Sequence, residues 1–219
     1  MDIDLSTTTV RTANATLRAL PPGATARLTN PAGRHNLAVG LTEEITVEID
    51  GTAGYYVGGL SKNATVLVHG TTGWGAGENL MSGLIRVDGD ASQSLAASAH
   101  GGTIVVRGDA SLRAGISLKG ATVLVAGNVG DHCGFMAQAG TILVGGDAGR
   151  GLGDSLYEAV IYVAGRIKDL GADARVEELA ESDVELVARL AKQHGFDHID
   201  PENVTRVASA RQLYHWGTP

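Results

Sequence analysis

Branched apolar residues recur along this chain at a fixed interval. Val47, Val66, Ile85, Ile104, Val123, Ile142 and Ile161 fall nineteen residues apart without a slip. Two positions on come Ile49, Val68, Val87, Val106, Val125, Val144 and Val163, and two further on Gly51, Gly70, Gly89, Gly108, Gly127, Gly146 and Gly165. The next position often holds a turn former: Asp90, Asp109, Asn128 or Asp147. Period-2 spacing places both branched side chains on one face of a strand, and Gly followed by Asp or Asn supplies a turn. One such strand cannot bury its apolar face alone. Stacking equivalent strands at about 4.8 Å buries that face and pairs the backbone. The pattern predicts an all-β fold, a right-handed parallel β-helix of about seven 19-residue coils, rising about 34 Å. Left-handed helices built from hexapeptides take eighteen residues for three faces, and no hexad is visible inside these units.

Small residues keep the same phase. One track is Gly58, Gly77, Ala96, Gly115, Gly134 and Gly153, and another is Ala64, Gly83, Gly102, Ala121, Gly140 and Ala159. These read as corners, where a Cβ would strike the neighbouring coil or demand a strained φ. Strain and collision together are expected to make Gly108→Val strongly destabilising, while Asp109, assigned only a turn role, should tolerate Asn. Leu118 and Leu156 are expected inside, on the second wall.

The ends depart from the repeat and divide the chain into a cap over 1–42, the β-helix over 43–168 and a helical tail over 169–219. Val10, Ala13, Leu17 and Leu20 have helical spacing within Thr9 to Leu20, stopped by Pro21-Pro22-Gly23. Thr25 to Thr29 reads as a short strand, and Asn30-Pro31-Ala32-Gly33 as a turn. Ser182 and Glu185 form a capping-box signature opening a helix with Val184, Val187, Leu190 and Ala191 on one face, ended by Gly195. Asp200-Pro201 starts another helical turn. A solenoid exposes raw edges at both ends, so these flanks, or partner proteins, are expected as covers.

Composition narrows the function. The 31 glycines among 219 residues are about twice the usual share of roughly 7%, and the period accounts for them. A net charge of −7 with no basic block argues against nucleic-acid binding. The single Cys133 excludes an internal disulfide framework and a cysteine-cluster metal site. No apolar run approaches the ~20 residues of a membrane span, and the acidic start Met1-Asp2-Ile3-Asp4 is unlike a signal peptide. A reducing, cytoplasmic setting is expected.

The candidate chemistry is thin. Gly73-Trp74-Gly75-Ala76-Gly77 invites a phosphate-loop reading, but a strand rather than a helix should follow it, so corner glycines explain it. Asp131, His132 and Cys133 form the most reactive-looking cluster. Neighbours in extended chain point apart, which favours a structural or interface role, lining a contact or a tunnel. His194 and His198 have i, i+4 spacing, but Gly195 breaks the helix between them and no third ligand is near. Asp90, Asp109 and Asp147 should stack at a corner, interrupted by Asn128, Arg166 and Thr52, and read as solvated turn residues. Tyr55, Tyr56, Tyr214 and Trp216 are candidate anchors for a partner, or packing over a helix end. No catalytic, cofactor-binding or metal-ligating residue is assigned.

The 19-residue repeat, with Gly51-Thr52-Ala53-Gly54, Asn128-Val129-Gly130-Asp131-His132-Cys133-Gly134 and the glycine corners, resembles the GXGXG domain family. That domain is the C-terminal right-handed β-helix of the glutamate synthase large subunit. The resemblance covers roughly residues 35–168. Free-standing chains of this kind are similar to the middle subunit of N-methylglutamate synthase, which resembles a glutamate synthase split into three chains. The resemblance implies a non-catalytic scaffold bridging a glutamine-amidotransferase-like subunit and an FMN-binding glutamate-synthase-like subunit. FMN and the iron–sulfur cluster would sit in a partner, with no cofactor in this chain. The complex would make N-methylglutamate and ammonia from glutamate and methylamine. The alternative is the third, β-helical chain of a formylmethanofuran dehydrogenase or formyltransferase/hydrolase complex. An independent β-helix enzyme is a further possibility, disfavoured because coils of equal length leave little room for a cleft.

Overall fold

The computed structural model describes residues 1–211. Strands β1 (Asp2–Asp4), β2 (Thr25–Thr29), β3 (Thr46–Ile49), β4 (Thr65–Val68), β5 (Leu84–Val87), β6 (Thr103–Val106), β7 (Lys119–Val125), β8 (Ala139–Val144) and β9 (Val160–Val163) stack in chain order as one parallel sheet. Val47 lies beside Val66, Val66 beside Ile85, Ile85 beside Ile104, and the register continues to Ile161. This is a right-handed parallel β-helix of about seven turns, as the period predicts. Single bridges join Ala53, Thr72, Ala91, Ala110, Val129, Ala148 and Ile167 into a second wall. The third wall is a run of turns, residues 55–60 in one coil, in which alternate residues have a positive φ. Leu118 and Leu156 are interior, but they share a ladder with Ser61, Leu80, Ala99 and Ala137 that follows the third wall rather than the second.

Glycine does two separate jobs here. None of Gly70, Gly89, Gly108, Gly127, Gly146 and Gly165 has a positive φ. From Gly89 onward, each donates its N–H to the carbonyl of the glycine one coil earlier, at 2.9 to 3.2 Å. A Cβ on Gly108 would stand 3.0 Å from the Gly89 carbonyl oxygen and on top of the Asp90 carboxylate. The expectation of backbone strain at this corner is therefore corrected. Collision between coils alone excludes a side chain.

Positive φ belongs to the other two tracks, at Gly83, Gly102 and Gly140 on one of them and along the whole of the other. Gly58, Gly77, Gly115 and Gly134 have φ of 69 to 71° and Ala96 has 58°. A Cβ on Gly58, Gly115 or Gly134 would come within 2.6 Å of the δ-methyl of Ile85, Ile142 or Ile161 respectively. Each isoleucine lies twenty-seven positions after its glycine. Twenty-seven positions after Ala96 is Val123, which has no δ-carbon. Of the five ladder residues that lie twenty-seven positions after this track, from Ile85 to Ile161, the one valine is thus matched to the one alanine. Close-packed interiors enforce such size matching because a single methylene has nowhere else to go.

The acidic corner is continuous. Asp90 Oδ1 accepts the Asp109 N–H at 2.8 Å, Asp109 Oδ1 the Asn128 N–H at 2.6 Å, Asn128 Oδ1 the Asp147 N–H at 2.8 Å, and Asp147 Oδ1 the Arg166 N–H at 2.8 Å. Asn128 does not interrupt the stack, because its side-chain oxygen accepts the next N–H as a carboxylate does. Arg166 terminates the ladder with its guanidinium on Asp147, 3.2 Å away.

Helix α1 (Val10–Arg18) covers the N-terminal end, with Thr9 Oγ1 accepting the Thr12 N–H as its cap. It buries Ala13, Asn14 and Leu17. The Asn14 amide donates to the Asn36 carbonyl at 2.7 Å and accepts the Ala38 N–H at 2.9 Å. One side chain thereby satisfies backbone groups that a preceding coil would otherwise pair. At the other end β10 (Ala174–Glu177) and β11 (Thr205–Ser209) close the sheet, with β11 antiparallel to both β9 and β10. Between them α2 (Glu181–His194) crosses the outer face of the sheet. It starts earlier than the Ser182 signature suggests, because the Asp183 carboxylate accepts the Ala180 N–H at 2.9 Å. Gly195 ends it in a left-handed conformation, and Pro201 opens a 3₁₀ turn, both as the sequence predicts. No helix among the described residues is long and apolar enough to cross a membrane.

The interior packing makes testable demands. Val123→Ile should lower stability by about 1–3 kcal/mol through overpacking against Ala96, and Ala96→Gly in the same chain should recover much of that loss. A double-mutant cycle in urea checks the coupling, and additive effects would show that the two side chains do not meet. Gly108→Val should destabilise by several kcal/mol, whereas Asp109→Asn should stay within about 0.5 kcal/mol of wild type, since Asn128 already fills that role.

Candidate functional surfaces

The alternating backbone of the third wall separates the side chains of Asp131, His132 and Cys133. Cys133 joins an interior ladder with Val57, Ala76, Leu95, Ala114 and Leu152 and is 0% exposed. Burial pushes its thiol up to about 12, so it stays protonated and unreactive at neutral pH. His132 is exposed, in a left-handed conformation, with its ring edge-on to Phe135 at 6.2 Å between centroids. Asp131 Oδ1 accepts the Arg150 N–H of the next coil at 2.7 Å. The three residues share no reaction centre.

Gly73 begins the glycine-rich stretch and bonds the coil before it, its N–H pointing at the carbonyls of Ala53 and Gly54. A strand follows, not a helix. A Cβ on Gly73 would come within 2.6 Å of the Tyr55 ring, so this glycine clears space for a stack of aromatics. His35 lies 4.2 Å from Tyr55, and Tyr55 lies 5.2 Å from Trp74, with the rings within 16° of parallel. His35 Nδ1 accepts the Tyr55 N–H at 2.9 Å. Tyr55 and Trp74 remain 46% and 51% exposed. Tyr56 is half-buried beside Gly59 and Gly75. Tyr214 and Trp216 lie outside the described residues.

Helix α2 defines the second surface. Val187, Leu190, Ala191 and the following Phe196, Ile199 and Val204 cover Val105, Leu124, Leu143 and Tyr162, the outward-facing residues of β6 to β9. Its N-terminus is clasped by a polar cluster. The Tyr162 hydroxyl donates to Asp183, Arg206 Nε reaches Asp183 at 3.3 Å, and Arg206 also bonds Glu177, which Arg175 holds from the other side. The Arg175 hydrogen bond is the main cause holding the Glu177 carboxyl below its usual range. Burial raises the Asp183 carboxyl, but hydrogen bonds from Tyr162 and the Ala180 amide with the Arg206 charge outweigh it, and the net direction is down. Burial and then Asp183 push the Tyr162 phenol up to about 12.

The C-terminal end of α2 stops short of β5 and leaves two grooves, one on each side of Gly195. One, of about 530 Å3, has Leu84 and Val105 with Arg86, Arg107, Lys192 and His194 in its lining. The other, of about 460 Å3, has Asp90, Asp109, Phe196 and His198 in its lining. Asp88 takes His69 Nδ1 at 2.9 Å, Arg86 Nε at 2.9 Å and Arg107 Nε at 3.6 Å. Burial pulls the Asp88 carboxyl up, yet the His69 and Arg86 contacts carry it below its usual range. Burial, with the charge of Arg107, lowers His194. His198 Nε2 sits 2.9 Å from the Ala126 carbonyl. The His194 and His198 pair is thus split between the grooves, and among the described residues no group of three or more His, Cys, Asp or Glu could hold a metal ion.

The motifs of the sequence do not announce these grooves, although a signal is present. The outward position of each strand runs Glu48, Leu67, Arg86 and then Val105, Leu124, Leu143, Tyr162. A strand apolar on both faces needs a cover. The switch between Arg86 and Val105 therefore marks where the covering helix ends.

No family model matches the chain. Over 217 residues, 98% of this chain and 95% of the relative, it is 48% identical to Protein GlxC of Rhizobium meliloti (strain 1021).

The clasp under α2 sets a pH dependence. Carboxyls lowered in the fold, as Asp183 and Glu177 are, stabilise it above about pH 4 and lose that effect as pH falls through their folded values. The phenol, raised from 10.0 to about 12, stabilises below pH 10 and loses its effect as pH rises toward 12. Tyr162→Phe should cost about 1–2 kcal/mol at pH 7. That difference from wild type, followed by urea unfolding and hydrogen exchange of α2, should shrink below about pH 4 and between pH 10 and 12.

Proposed function

The chain belongs to the GlxC family, and from that premise we propose that it is a non-catalytic scaffold subunit of a glutamate-synthase-like multi-subunit enzyme. The observation that carries this reading is the fate of the sequence's one reactive-looking cluster. Cys133 is an interior packing residue with a protonated thiol, Asp131 is a backbone acceptor and His132 stands apart from both. What the molecule offers outward is shape: a stiff stack of equal coils with exposed Tyr55 and Trp74 at one corner and charged grooves beside α2. Large, half-exposed aromatic rings held in a fixed stack suit protein contact, where Trp and Tyr anchors contribute most.

The enzyme we assign is N-methylglutamate synthase, taking glutamate and methylamine to N-methylglutamate and ammonia. This chain would bridge a glutamine-amidotransferase-like subunit and an FMN-binding glutamate-synthase-like subunit, the latter holding the iron–sulfur cluster. The resemblance to the GXGXG domain supports that assignment, through the glycine ladder from Gly70 to Gly165 and the repeat around Asn128 to Gly134. On this reading the chain supplies no group to the reacting atoms. It fixes the distance and orientation between two active sites.

Affinity purification of the tagged full chain from its native host, with mass spectrometry of what co-purifies, should yield both subunits in fixed ratio. The isolated chain should form no N-methylglutamate from glutamate and methylamine, and the complex reconstituted from all three chains should form it. Turnover by the isolated chain would overturn the scaffold assignment, and co-purification of amidohydrolase and formyltransferase subunits instead would overturn the choice of enzyme.

A further inference from the structure

The geometry points to the groove between β5, β6 and the C-terminal turn of α2 as a docking site for an acidic segment of a partner protein, one carrying carboxylates on either side of an aliphatic side chain. The partner's identity, though not the groove's chemistry, rests on the scaffold reading above.

Charge carries the argument. The chain is acidic overall, at −7, yet the lining of this groove contains Arg86, Arg107 and Lys192 and no carboxylate. The nearest ion-pair partner is Asp88, and it is shared by both arginines and by His69. One negative charge thus answers two guanidinium groups, and Lys192 forms no ion pair among the described residues. Cations near a helix C-terminus are partly explained by its macrodipole, but that end carries only about half an elementary charge. Arg107 also borders the neighbouring groove, where Asp90 and Asp109 lie, but no carboxylate lines this groove to face Arg86, Arg107 and Lys192 together. Such a local concentration of positive charge on an acidic chain attracts an external anion.

Shape narrows the anion. The groove holds about 530 Å3, with Leu84 and Val105 contributing apolar surface between the cations. Burial of an aliphatic side chain there, flanked by carboxylates reaching Arg107 and Lys192, uses both parts of the lining. A small inorganic anion would use only the charged part. The site also lies where the covering helix gives out, and among the described residues the apolar cover of α2 does not extend over the outer face of β3 and β4.

The test uses the full-length chain, ¹⁵N-labelled, titrated at low ionic strength with the capped peptide Asp-Leu-Asp-Glu-Leu-Asp. Amide shifts should concentrate at Leu84 to Arg86, Val105 to Arg107 and Lys192 to Gly195. The neutral twin Asn-Leu-Asn-Gln-Leu-Asn should produce none of them, and added salt should weaken the response. Arg107→Gln with Lys192→Gln should weaken peptide binding about tenfold, and Lys62→Glu, an equal change of two units of net charge elsewhere, should leave it unchanged. Lys192→Gln alone, at an exposed position, gives a smaller loss of the same sign and guards against misfolding of the double variant. Shifts that are absent, scattered or equal for the neutral twin would overturn the proposal. So would inorganic phosphate at the same concentration reproducing the peptide's pattern, which would make this a small-anion site. A second arm measures association of the same variants with the two subunits named above. If wild type binds neither subunit, the scaffold reading fails while the peptide result stands. If wild type binds and the double variant binds equally well, the groove is not where those subunits dock.

Discussion

Everything in this molecule depends on the close approach of one coil to the next along the glycine corner. From Gly89 to Gly165 the N–H of each corner residue meets the carbonyl of its predecessor within 3.2 Å, and a Cβ would stand in the way. That contact fixes the rise per coil, and the rise keeps Ile85, Ile104 and Val123 in register on the strand wall that leads into the corner. The side chains of Asp90, Asp109, Asn128 and Asp147 reinforce the same step by reaching one coil forward to the following N–H. Hydrophobic burial supplies most of the driving force. The corner decides which residues are buried together.

The repeat is legible because it is a linear signal: the same residue types return at the same interval, and a parallel stack is the arrangement that rewards this. Thr25–Thr29, the helix stop at Gly195 and the helical start at Pro201 are legible for local reasons, from propensity and turn chemistry. What cannot be read is which glycines serve conformation and which serve clearance. Gly108 and Gly115 look alike in a sequence, yet only Gly115 has a positive φ. Ser94, Arg113 and His132 adopt left-handed backbone with no glycine to announce it, because hydrogen bonds from the adjacent coil impose the conformation. The Asp183 start of α2 is obscured for a similar reason, since a tertiary clasp with Tyr162 and Arg206 outweighs the Ser182 signature.

Function is less legible than fold, because its elements are assembled from distant parts of the chain. The cluster that looks chemical, Asp131 to Cys133, is adjacent in sequence and dispersed in space. The groove that gathers Arg86, Arg107 and Lys192 is the reverse, close in space and spread over a hundred residues. Tyr55 and Trp74 follow the coil period and His35 lies one residue out of phase, so only the space cleared by Gly73 makes the three recognisable as a stack.

The pairing of Ala96 with Val123 reaches further than local fit. From Gly58 to Gly134 the residues of that track face a residue twenty-seven positions later, which is more than one coil and less than two. Tandem duplication or loss of a single coil would preserve the backbone ladder, yet near Ala96 it would set a methyl against an isoleucine. A coil added or removed where every unit is of the glycine–isoleucine type would meet no such clash. The Ala96 unit ties the number of coils around it to its distant counterpart Val123.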